Sequence, residues 1–71
     1  MTNTQQIVKF SRLTSGMIRL AWNSRHPGKL LACVRRDLAT LWDLGCHSDR
    51  LSHREKDTAR ACVVALEKMI R

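Results

Sequence analysis

Residues 52–70, SHREKDTARACVVALEKMI, decide the fold class. Ser52 followed three residues later by Glu55 matches a capping box, in which the serine hydroxyl and the glutamate carboxylate each accept from the other's backbone N–H. Beyond it, Ala59, Cys62, Val63, Leu66, Met69 and Ile70 recur at steps of three and four. That is the period of one helical face. Arg54, Glu55, Lys56, Asp57 and Arg60 are mixed in sign and read as solvent-facing pairs that contribute little to stability. A helix built this way must bury its stripe against other elements.

The preceding residues supply two such elements. Thr4 or Asn3 is placed to cap a first helix that runs to about Asn23. Ile7, Phe10, Leu13, Met17 and Leu20 trace its apolar face, with Val8, Ile18 and Trp22 off that face. This helix therefore carries more apolar surface than one stripe uses. Ser15-Gly16 is its weak point, because a mid-helix Gly costs about 1 kcal/mol relative to Ala. His26-Pro27-Gly28 interrupts the pattern, and Pro27 suits the first turn of a second helix. Leu30, Val34, Leu38, Leu41 and Trp42 trace the second face, flanked by Leu31 and Cys33. Gly45 is placed to end that helix in the left-handed conformation, with residues 46–51 as a loop. The expected architecture is one all-α domain over residues 1–71, a small three-helix bundle with antiparallel neighbours. For 71 residues, apolar burial and the entropy of ordering nearly cancel, so a homodimer is expected.

Charge divides the chain unevenly. There are 13 Lys and Arg against 6 Asp and Glu, a formal +7. Lys9, Arg12, Arg19, Arg25, Lys29, Arg35 and Arg36 fall in residues 1–36, which hold no acid. The second half is balanced, so the whole excess belongs to the first helix and the start of the second. Such asymmetry suits an acidic partner or a phosphate backbone. Arg12 and Arg19 stand beside the Phe10, Leu13 and Met17 stripe, and a basic rim on an apolar stripe is the anatomy of a protein interface. Phe10, Arg12, Leu13, Met17, Arg19 and Trp42 are the candidate partner-binding residues. Leu38, Leu41 and Trp42 are an alternative seam between two copies.

Other chemistries fit less well. Cys33, Cys46 and Cys62 make no paired framework, which suits a reducing cytoplasm. Cys46-His47, His53 and Cys62 lack the spacing of a structural zinc site, so no metal or other cofactor is expected. Cys46 with His47 is a poor nucleophile and base, since adjacent loop side chains point apart. Small helical enzymes of the chorismate mutase kind need acids among their cations, and the first half has none; no enzyme is expected. A helix-turn-helix turning at Gly45 puts the bulky Leu41 at its small position, and one starting at Ala39 puts Asp43 at the glycine position. Nucleic-acid binding through charge alone stays as the alternative. No signal peptide and no membrane span is expected.

The opening Met1-Thr2-Asn3-Thr4-Gln5-Gln6-Ile7-Val8-Lys9-Phe10, the three-helix layout and the basic charge together resemble the small quorum-sensing anti-activators of phages that infect pseudomonads. The resemblance covers nearly the whole chain. It implies a helical homodimer in the host cytoplasm that binds a LuxR-type transcription activator and blocks its access to DNA. It also implies a second host target, the assembly ATPase of type IV pili.

Overall fold

A computed structural model describes residues 2–70. Three helices follow in order: α1 (Asn3–Trp22), α2 (Gly28–His47) and α3 (His53–Ile70). No strand occurs among the described residues. Each helix packs on the other two, as expected of a three-helix bundle. The short turns at 23–27 and 48–52 make sequential helices antiparallel.

The caps explain most of the boundaries. Ser52 and Glu55 form the expected box: Ser52 N–H donates to Glu55 Oε1 at 2.8 Å, and Glu55 N–H donates to Ser52 Oγ at 3.3 Å. The Ser52 backbone bond, ahead of the Ser52 hydroxyl and the Asn3 side chain, holds the Glu55 carboxyl below its ordinary range against the opposing effect of desolvation. A second capping box opens α1. It is built on Thr2 and Gln5, one to two residues before the expected Asn3 or Thr4. Gln5 at the third helical position decides this, because its side chain reaches back to Thr2 N–H at 3.0 Å. α1 continues through Gly16 without a break. Pro27 sits at the N-cap of α2, and its carbonyl accepts from Leu31 N–H at 2.9 Å.

Gly45 does not end α2. The helix runs two residues further, and no glycine among the described residues has a positive φ. Gly45 is buried against α3: a Cβ there would lie 2.6 Å from Arg60 Cγ and 3.1 Å from the Lys56 carbonyl oxygen. The missing side chain is what lets the two helices approach.

The core is Ile7, Ile18, Val34, Leu41, Ala59, Val63 and Leu66. The α3 face is the one its periodicity marked. Cys62 packs partly against the core, whereas Cys33, at the flank of the α2 face, is exposed. On α1 the face is rotated from the expected one. Ile18 is wholly buried while Leu13 and Leu20 are 63% and 62% exposed. The core line of α1 is instead Ile7, Thr14, Ile18 and Ala21. Thr14 can occupy a buried site because its hydroxyl lies 3.1 Å from both the Phe10 carbonyl oxygen and Asp37 Oδ2, between which it donates. At the far end, Trp22 Nε1 donates to the Met69 carbonyl at 3.1 Å and fastens the end of α1 to that of α3.

Candidate protein-docking surface

The core line of α1 leaves an apolar track along its α2-facing flank. Thr14 bonded to Asp37 sets the two antiparallel helices level at their middles. Phe10, Leu13, Met17 and Leu20, three and four residues apart, then form one ridge bordering the seam with α2. Phe10 and Met17 are half-buried and pack on the core; Leu13 and Leu20 stand out of it. At the Phe10 end the ridge opens into a groove of about 310 Å³ floored by Ile7, Leu41, Leu44 and Leu51, with Gln6 and Arg50 among its lining residues.

Cations stand beside this track. Lys9, Arg12 and Arg19 are exposed on the outer side of α1. Lys29, Arg36 and Asp43, at steps of seven, share one line of α2. Asp43 is the single exposed acid on α1 and α2, and Asp37 is half-buried with Thr14. The one ion pair among the described residues is on α3, between Arg60 and Asp57. The positive charge of the first half is therefore unneutralised at the surface.

The expected site residues divide into three groups. Phe10, Leu13 and Met17 lie together on the track. Arg12 and Arg19, seven apart, share a line turned about 100° around α1 from Leu13 and Leu20, and so stand at the rim. Trp42 is elsewhere. It is 49% exposed in the groove between α2 and α3, with Leu38, Ala39 and Val64. Leu41 is 1% exposed, so it is unavailable to any seam between copies. Leu20 lies on the track although periodicity did not select it as a site residue. Leu20 stands seven residues after Leu13, which was a usable signal.

The accessible surface is 5406 Å². A monomer of 8.2 kDa ordinarily exposes about 4,500 Å². The surplus, roughly 900 Å², goes with the elongated shape of the bundle, 40 × 21 × 17 Å. Among the described residues, no helix is long and apolar enough to cross a membrane, and no group of three or more His, Cys, Asp or Glu could hold a metal ion.

No protein-family model matches the chain, and neither a curated protein nor a solved structure matches it.

Proposed function

We propose that the protein is a non-enzymatic inhibitor that sequesters another protein on the α1 track. The observation that carries this reading is the pair Leu13 and Leu20, each more than three-fifths exposed, on a helix whose folding uses other residues. Exposed leucines in line, rimmed by arginines, have the composition of an interface centre and its border.

The resemblance to phage anti-activators gives the partner in this reading: a LuxR-type transcription activator held away from DNA, with the pilus assembly ATPase as a second target. A DNA-binding surface is itself basic, so the inhibitor docks through apolar contact or on an acidic part of the activator, with the arginines steering the encounter. The test uses Leu13→Asp with Leu20→Asp. Both positions are outside the core, so helicity by circular dichroism should persist. Release of activator from its promoter DNA, read by gel shift, should need at least about tenfold more of the double variant. Unchanged release would discard the α1 track as the contact surface. Phe10→Ala and Met17→Ala are poorer tests, because both side chains also pack on the core.

The homodimer of this reading uses the other exposed apolar groove, at Trp42 and Val64. Trp42→Glu should then lower the sedimentation coefficient to that of a monomer. The second reading, a small nucleic-acid-binding regulator, is favoured by the unpaired cations alone. It predicts affinity for duplex DNA that falls steeply with salt and with removal of Arg12, Arg19, Arg35 and Arg36.

A further inference from the structure

The α1 track is narrow, and that limits what can lie on it. From Gln6 to Leu20 it rises about 21 Å, the length of roughly four helical turns. Its ridge is a single line of side chains at steps of three and four, the shape that interdigitates with the same line on another helix. The outer side of the ridge carries Lys9, Arg12 and Arg19, all exposed; across the seam α2 holds Asp37 bonded to Thr14 and, farther round, the exposed line Lys29, Arg36 and Asp43. None of these five cations is in an ion pair among the described residues. A helix with basic flanks would meet like charge along the whole α1 side of its apolar line. A helix with an acidic flank toward α1 would meet the unpaired cations Lys9, Arg12 and Arg19, with no acid anywhere on α1, which favours it in encounter and in selectivity.

We propose that the occupant of the track is an amphipathic helix whose apolar line is flanked by acidic residues. This rests on the reading of the α1 track as the docking surface, and it names the chemistry of the segment that surface takes.

The test uses the whole chain and two fluorescein-labelled helical peptides of about four turns. Both carry the same leucine line; one has Glu on its flanks and the other Lys in the same places. Anisotropy titrations should show the acidic peptide binding at least about tenfold more tightly than the basic one. Leu13→Asp with Leu20→Asp should weaken the acidic peptide by about tenfold or more. Arg19→Glu with Arg36→Glu, which takes the five cations from +5 to +1, should remove most of the preference for the acidic peptide. Circular dichroism checks that each variant keeps its helicity.

Equal binding of the two peptides, lost in the leucine variant, would overturn the acidic-flank proposal and leave the docking surface standing. Binding of the acidic peptide that is indifferent to the leucine variant would overturn both, because charge alone would then hold the peptide. Binding of neither peptide overturns the proposal. So does equal retention of duplex DNA or of phosphatidylglycerol vesicles with the same response to the arginine variant, since the track would then be a general polyanion or lipid surface.

Discussion

α1 and α3 are similar in length and both amphipathic, yet they use their apolar residues differently. In α3 the line Ala59, Val63 and Leu66 is buried, and Cys62, Met69 and Ile70 pack beside it. Its charges are mixed, and Asp57 and Arg60 pair with each other. Val64 is its one large exposed apolar residue. In α1 the core takes Ile7, Thr14, Ile18 and Ala21, while Leu13, Leu20 and Trp22 remain outside. Its charges are all positive. A helix that spends its apolar residues on the fold has its stripe fixed by the fold. A helix that keeps larger apolar residues outside the core than some it buries leaves them free for a contact surface, as the proposed docking role requires.

The sharpest way to break this contrast is to truncate one residue of each kind on α1. Ile18→Ala should cost about 2–5 kcal/mol, a large part of the stability of so small a chain. Leu20→Ala should change stability by no more than about 0.5 kcal/mol. Urea unfolding followed by circular dichroism measures both. Similar losses at the two positions would place Leu20 in the core and remove the distinction.

Next in size is the polar residue inside the α1 core line. Thr14→Val keeps the shape but removes the hydroxyl, leaving the half-buried Asp37 carboxylate without its bond from Thr14. A loss of about 1–3 kcal/mol is expected, with Thr14→Ser losing less. If Thr14→Val is neutral or stabilising in the same urea titration, the hydrogen bonds are dispensable.

Two glycines should respond with opposite signs. At Gly45 a Cβ would overlap Arg60 Cγ, so Gly45→Ala should lose about 1 kcal/mol net, overpacking outweighing the helix propensity of Ala. At Gly16 a Cβ would meet nothing within 4 Å, so Gly16→Ala should gain up to about 1 kcal/mol. Thermal midpoints that move the same way for both would mean that α2 and α3 are not in close approach at Gly45.

The smallest effect is at the start of α3. The folded Glu55 carboxyl titrates below its ordinary value, so its stabilisation is present above the unfolded value and is lost as pH falls through the folded one. Melting temperatures taken down the acid limb should fall more for the wild-type chain than for Glu55→Gln. Parallel curves would mean that the capping carboxylate adds nothing in solution.

α3 was legible in the sequence because its cap, its stripe and its charge pattern agree with one another. The all-α class and the two turns followed from the same kind of agreement. α1 was misphased for a physical reason. Leu13 and Leu20 are more apolar than Thr14 and Ala21, so periodicity chose them for the core, and only a hydrogen-bonding partner on α2 makes a buried Thr14 acceptable. Gly45 was misread because glycine near a helix end commonly marks its stop, whereas here α3 approaches the backbone from outside. For Trp42, periodicity left open which of two neighbouring residues faces inward. Of the docking surface, the ridge residues were readable along α1.

The contact between Thr14 and Asp37 has a consequence for how the chain avoids wrong answers. Two aliphatic seams can slip past one another by a helical turn, about 5.4 Å, at little cost, because one groove between leucines is much like the next. A single polar contact removes that freedom. If α1 slid by a turn along α2, the carboxylate would face aliphatic side chains and the hydroxyl would lose a partner, each at a price that apolar contacts elsewhere cannot recover. One threonine in the middle of a small core therefore acts as a register mark, sorting the native alignment from its near copies.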